Sequence, residues 1–208
     1  MSLMHRLLSS CLCLLWVLMV LMVLMGLAGT SHAAPGDVVV EGQRFAAQQR
    51  VGGSDLQLNG TGVRAVAWFK GYAAGLYVPQ KAQSAEGLLA QPGAKRLQLR
   101  MLQDVPPAEF IKALRKGMDR NTPEAQHAAL QERVERFAAL IMDAGKVKKG
   151  DVIDLDLDPH RGLLFSLNGT LRGDAIPGAD FYSALLRSFI GDKPYDERLK
   201  AGLLGRTY

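Results

Sequence analysis

Gly60-Thr-Gly-Val-Arg64-Ala-Val-Ala-Trp68-Phe-Lys-Gly-Tyr72-Ala-Ala-Gly-Leu-Tyr77-Val78 is the stretch on which the reading of this chain turns. It reads as two strands joined at a glycine, and alternation places Arg64 on the apolar side of the first, with Val66 and Trp68. A guanidinium keeps its charge at any ordinary pH, and burying it unpaired is costly. Arg64 therefore requires an acid from its own chain, for which Glu86, Asp104 and Asp180 are candidates, or an anionic or carbonyl-bearing ligand. Gly71, Ala73, Ala74 and Gly75 leave room beside Trp68, Tyr72 and Tyr77. An apolar recess carrying a few polar groups is the usual make-up of a small-molecule site. The turn decides which phenol joins the arginine. A two-residue turn at Lys70-Gly71 sets Tyr77 opposite Arg64, and a three-residue turn puts Tyr72 on its face.

Outward from this hairpin, strands are expected near 56–58, 62–69, 72–78 and 95–103, with Val38-Val-Val40 as a weaker candidate further upstream. Phe110, Ile111, Leu114 and Met118 then recur at helical spacing. Thr122 is placed to cap a second helix, with Pro123 at its first position and Gly145 at its end. That helix turns Leu130, Val134, Phe137 and Ile141 inward. Asp151 to Asp158 alternates as a half-exposed strand, and Leu163 to Gly173 is a hairpin about Asn168-Gly169, a strong turn signal. A helix over about 179–190 and a short one from Asp196 close the chain. Strands, helices, strands and helices in that order predict an α+β domain: an antiparallel sheet with helices layered on one face, an open-faced β-sandwich.

Residues 1–33 read as a secretory signal peptide, with Arg6, an apolar run from Leu14 to Leu27, and a small-residue cleavage site at Ser31-His32-Ala33. The alternative is a retained membrane anchor, because Cys11 to Ala28 approaches a bilayer span. Cleavage leaves one domain, 34–208, exported to the periplasm. Cys11 and Cys13 are the only cysteines, so the exported product has no disulfide, thiolate metal site or thiol nucleophile. The net charge of +5 is scattered, with no basic run interleaved with aromatics, which argues against nucleic acid. Once the signal is removed, no membrane association is expected.

Other motifs fail on their spacing. Asp154-x-Asp156-x-Asp158 imitates a calcium loop, but Pro159 and Phe165 stand where the loop needs glycine and glutamate. Those acids read as a solvated strand face. His127 and His160 lack partner spacing for a metal. No phosphate loop or dinucleotide fingerprint is present, and no cofactor is expected.

Four segments in order resemble the chalcone isomerase-like family, in its exported bacterial branch: Gly60-Thr-Gly-Val-Arg64 with Tyr72-Ala-Ala-Gly-Leu-Tyr-Val; Pro107-Ala-Glu-Phe110; Leu167-Asn-Gly; and Phe181-Tyr-x-Ala-Leu-Leu-Arg-Ser188-x-Ile-Gly-Asp192. The resemblance spans about 38–205. It implies a ligand cleft between an antiparallel sheet and its helices. It places Arg64 on the arginine that stabilises negative charge in the enzymes, Ser188 on a substrate-contacting threonine, and Tyr72 on or beside a water-holding threonine. The helix position of the catalytic tyrosine is Phe110 here, and a later asparagine is Gly117. Loss of that phenol speaks against isomerase chemistry. Fatty-acid-binding relatives hold a carboxylate with an arginine and a tyrosine, a pairing that Arg64 and Tyr72 match. The resemblance thus implies a non-catalytic protein for a small amphipathic carboxylate or enone. Arg64, Tyr72, Tyr77 and Ser188 would be its polar contacts, and Trp68 and Phe110 its apolar lining. An intramolecular lyase acting on an enone, or a structural envelope protein with Arg64 satisfied internally, are the alternatives.

Overall fold

The computed structural model describes residues 36–66 and 69–206. The signal-peptide reading and Trp68 lie outside the described residues. Seven strands form one antiparallel sheet in chain order: β3 (Gln48–Val51), β4 (Ser54–Val66), β5 (Phe69–Val78), β6 (Lys95–Met101), β7 (Val152–Asp158), β8 (Gly162–Leu167) and β9 (Thr170–Leu171). A separate two-stranded ribbon, β1 (Val38–Val40) with β2 (Gln43–Phe45), precedes it. Helix α1 (Ala85–Ala90) lies between β5 and β6. Then α2 (Pro107–Asn121) and α3 (Glu124–Ala144) separate β6 from β7, and α4 (Ala179–Ile190) and α5 (Glu197–Leu203) follow β9. This is the expected α+β arrangement. The helices pack on one face, where Leu97, Leu99 and Met101 of β6 meet Leu114 and Met118 of α2, Phe137 of α3, and Leu185 and Phe189 of α4.

The opposite face is smaller and is covered by the N-terminal ribbon. Phe45 of β2 is fully buried there with Leu56, Leu58, Ala73 and Tyr77. Its ring sits where a Cβ on Gly75 would fall and under the Arg100 guanidinium, 5.4 Å from the ring centre. Asp154 and Asp156 share this face and are buried, which corrects the solvated-strand reading. Arg96, directly across the ladder from Asp156, grips that carboxylate with Nε and Nη2 at 2.6 Å each. Gln98, opposite Asp154, donates to it at 2.8 Å. The acids alternate as read, but cross-strand donors neutralise them where water was expected.

Local signals explain most of the other elements. Asn168 and Gly169 take φ of 53° and 76° between β8 and β9, the double positive-φ turn that this dipeptide favours. Gly145 ends α3 at φ 74°. Thr122 does not cap α3. It terminates α2 in an extended conformation, and its buried hydroxyl has no hydrogen-bond partner among the described residues.

Two irregularities in the β4–β5 hairpin set the geometry of the site. The ladder slips between Leu58 and Gly60, leaving Asn59 unpaired, and slips again between Arg64 and Ala65, leaving Gly71 as the extra residue on β5. Each bulge reverses the facing of the residues beyond it. Leu56 and Leu58 therefore face the ribbon, while Gly60, Gly62 and Arg64 pair with Leu76, Ala74 and Tyr72 on the helix side. The Asn59 side chain secures its bulge by donating to Leu203 O at 2.7 Å and accepting from Ala82 N at 2.8 Å. The hairpin connection also differs from expectation. Val66 pairs with Phe69, so Lys70 and Gly71 belong to β5 and are not the turn.

Candidate ligand site

A cavity of about 130 Å³ lies between the sheet and α2, α3 and α4. Its walls are almost entirely apolar, including Leu99, Phe110, Ile153, Leu155 and Phe189. Among the described residues, Arg64, Tyr72 and Tyr195 are its three polar or charged lining residues. The sequence singled out two of these, and the register shows why they meet. Arg64 and Tyr72 are direct cross-strand partners, the arrangement in which side chains on adjacent strands approach most closely.

Tyr77, by contrast, pairs with Leu58 and is fully buried on the ribbon face. It therefore does not line this cavity. The Gly71 bulge settles the turn ambiguity in favour of Tyr72. Ser188 is fully buried on α4 and does not line the cavity either. Its Oγ has no hydrogen-bond partner among the described residues, although it lies close enough to the Tyr195 hydroxyl to ease that phenol's ionisation. Phe110 lines the cavity as expected. It also borders a second recess of about 160 Å³, which shares Arg64, Tyr72, Phe110 and Ala113 with the first and is edged by the exposed Phe69.

Tyr195 is the residue the sequence reading missed. It follows α4, and its ring packs edge-on against Phe189 with centres 5.0 Å apart. Its hydroxyl donates to Ala113 O of α2 at 3.0 Å. The ring occupies the space that a side chain at position 117 would need, because a Cβ built on Gly117 runs into it. Gly117 is thus the socket for Tyr195, and the helix that carries no phenol at position 110 receives one from outside. Burial pushes the Tyr195 phenol up to about 12, partly offset by Ser188 and Arg64. Burial also raises the Tyr72 phenol, with Tyr195 adding to the shift and Arg64 opposing it. Both hydroxyls are therefore neutral at physiological pH.

Arg64 does have an acid of its own chain, and it is Asp196. Glu86, Asp104 and Asp180 are not its partners. Asp104 binds Lys146 at 2.8 Å, Asp180 binds Arg133, and Glu86 is exposed in the first turn of α1. The Arg64–Asp196 contact is loose. A single Nη1 approaches Oδ2 at 3.4 Å and also donates to Ala65 O at 3.0 Å. The gripped pairs elsewhere, Arg96–Asp156 and Arg133–Asp180, are two-pronged at 2.6 to 2.7 Å. Asp196 is also otherwise employed. Its Oδ1 caps α5 by accepting from Arg198 N at 2.8 Å and Leu199 N at 3.1 Å, and its Oδ2 accepts from Ala65 N at 3.3 Å. Nε and Nη2 of Arg64 have no hydrogen bond among the described residues. With the side chain 29% exposed, one donor edge of this cation is left open among the described residues.

A family model described as chalcone isomerase-like matches residues 37–205. The chain belongs to the chalcone isomerase-like family. Among solved structures, a fatty-acid binding protein of Arabidopsis thaliana matches with a TM-score of 0.61 at 18% identity, over 81% of this chain and 95% of that one. The likeness is one of fold. No curated protein matches the sequence. In this family member the sheet supplies the arginine and one phenol, the segment after α4 supplies the other, and α2 contributes Phe110 and the Gly117 socket.

Proposed function

We propose that this chalcone isomerase-like protein binds a small amphipathic carboxylate without transforming it. One observation carries the reading: the polar groups of an otherwise apolar cavity are gathered as a cation with a free donor edge and two neutral phenols. Arg64 can neutralise a carboxylate with charge-assisted hydrogen bonds and Tyr72 can add a donor without a second charge, while the Tyr195 proton stays on Ala113 O. The fold shared with an Arabidopsis protein titled as a fatty-acid binding protein supports it. Phe110 supports it too, because it lines the cavity with a ring that has no proton to give. Export from the cytoplasm belongs to the same proposal and rests on residues 1–33. N-terminal sequencing of the periplasmic protein, with Ala34 as first residue, tests that part.

The binding test is calorimetric titration of delipidated protein with octanoate and palmitate, wild type against Arg64→Ala. A hydrogen-bonded charge of this kind contributes about 1.5–3 kcal/mol, so Arg64→Ala should weaken binding by about 10- to 150-fold. Equal affinity in the two proteins, or no binding of either acid, overturns the proposal. Turnover of a chalcone, seen as loss of its long-wavelength absorbance, would transfer the site to enone chemistry.

A further inference from the structure

The cavity is polar at one end and closed at the other by an aromatic cluster. Phe137 of α3 meets Phe165 of β8 edge-on with ring centres 5.7 Å apart, and meets Phe181 of α4 edge-on at 6.2 Å. All three rings are buried. Phe181 is held from behind by Arg133, whose guanidinium lies 5.8 Å from its ring centre. Asp180 fixes that guanidinium through two hydrogen bonds of 2.7 Å. Phe137 is therefore wedged between two rings, one carried by the sheet and the other braced by a charged clamp. Edge-to-face pairs are the favoured aromatic geometry, and a close-packed wall of this kind resists displacement.

The opposite end is built differently. Phe110 is only half-buried and separates the cavity from the second recess, so the mouth is less confined than the floor. Arg64 on β4 and Phe165 on β8 are four strand spacings apart, about 19 Å measured across the strands, and are offset along them as well, while the side chains reaching in from both ends shorten that span. The volume left between them is about 130 Å³. A dry apolar cavity of about that size accommodates a single benzene ring.

We infer that Phe137, braced by Phe165 and Phe181, is a length stop that restricts the site to monocarboxylates with a compact tail of about six to eight carbons. This rests on the carboxylate reading above and adds the chemical class of the tail. A short alkanoate and a phenyl-substituted propanoate share that chemistry. Each methylene buried in an apolar site adds about fourfold in affinity. The gain should therefore accumulate along the chain until the terminal methyl meets Phe137, and stop there.

The test is calorimetric titration of the full-length protein with straight-chain acids from butanoate to palmitate, together with 3-phenylpropanoate. Affinity should rise about fourfold per methylene, level or fall beyond octanoate, and be substantial for phenylpropanoate. Phe137→Ala should move the break to longer acids. Phe165→Leu, a milder change in the same wall, should do so to a smaller degree if Phe137→Ala does not fold. Affinity that climbs without a break to palmitate in the wild type overturns the length stop and leaves carboxylate binding intact. A break that stays in place in a folded wall variant also overturns it. No acid binding at any length overturns the carboxylate reading, and the length stop with it.

Discussion

Replacing Asp196 by asparagine separates the two roles of this residue, because asparagine keeps one and abolishes the other. The amide oxygen can still accept from Arg198 N and Leu199 N, the contacts that cap α5, and asparagine is among the best N-cap residues. What disappears is a negative charge 3.4 Å from Arg64 Nη1, together with the weak Oδ2 acceptor of Ala65 N at 3.3 Å. A ligand carboxylate on the free edge of that guanidinium would stand roughly 5–6 Å from Asp196. At an effective dielectric constant of about 40–80, suited to a partly exposed site, the repulsion removed is about 0.7–1.7 kcal/mol. Asp196→Asn should therefore tighten octanoate binding about three- to sixteen-fold. The gain should shrink with added salt, because the site is partly open to water. Calorimetry reads the affinity and thermal unfolding reads the cap. Asp196→Ala serves as the control that also loses about 1 kcal/mol of helix capping. Unchanged or weaker binding in an Asp196→Asn protein of wild-type stability would refute the argument that Asp196 competes with the ligand for Arg64.

Gly117→Ala should destabilise the protein by about 1–3 kcal/mol through overpacking against Tyr195, although alanine is the better helix former by about 1 kcal/mol. Melting temperature and octanoate affinity should fall together, and a stabilised variant would show that Tyr195 does not need the socket. Tyr77→Phe removes a fully buried hydroxyl that makes no hydrogen bond of good geometry among the described residues, although the Gln49 side chain lies near enough to ease its ionisation. Stability should hold or rise, with ligand affinity unchanged, whereas Tyr72→Phe should weaken octanoate binding. Equal effects of the two on binding would contradict the assignment of Tyr77 to the far face. In alkali, burial raises the phenols of Tyr72, Tyr77, Tyr182 and Tyr195 above their ordinary value. The unfolded chain then loses its protons first, so their contribution is complete below about pH 10 and each group costs about 1.4 kcal/mol per pH unit above it. Phenolate absorbance should appear cooperatively with loss of circular dichroism. A smooth titration of these phenols in folded protein near their ordinary value would count against their burial.

Much of the architecture was legible because its signals are local. Asn168-Gly169 needs only itself to specify a turn, and the Phe110 to Met118 and Leu130 to Ile141 stripes need only their spacing. The β4–β5 bulges are a different case. Alternation assigns a face to every residue on the assumption of unbroken pairing, and Asn59 and Gly71 break it through contacts made elsewhere, with Leu203, Ala82 and Leu102. Arg64 and Tyr72 pair across the ladder, while Tyr77, the other phenol that the turn left open, lies on the ribbon face. Asp154 and Asp156 were read as solvated because the ladder that sets Arg96 and Gln98 opposite them becomes known only with the sheet. Tyr195 left a faint trace: a glycine at 117, within an otherwise good helix, signals that something else fills its surface. Asp196 carried the ordinary mark of a helix cap and nothing that pointed to Arg64.

The Arg64–Asp196 contact joins residues 132 positions apart. Helix α5 lies on β4 so closely that Gly202 O would strike a Cβ at Gly60, and Leu199 backbone would meet one at Gly62. The central strands can pair without α5, yet the compartment around Arg64 stays unfinished until that helix docks. Tail-clipping by proteases would undo the same closure in reverse. Under the proposed function, retention of a carboxylate at Arg64 would therefore report that α5 is in place on β4.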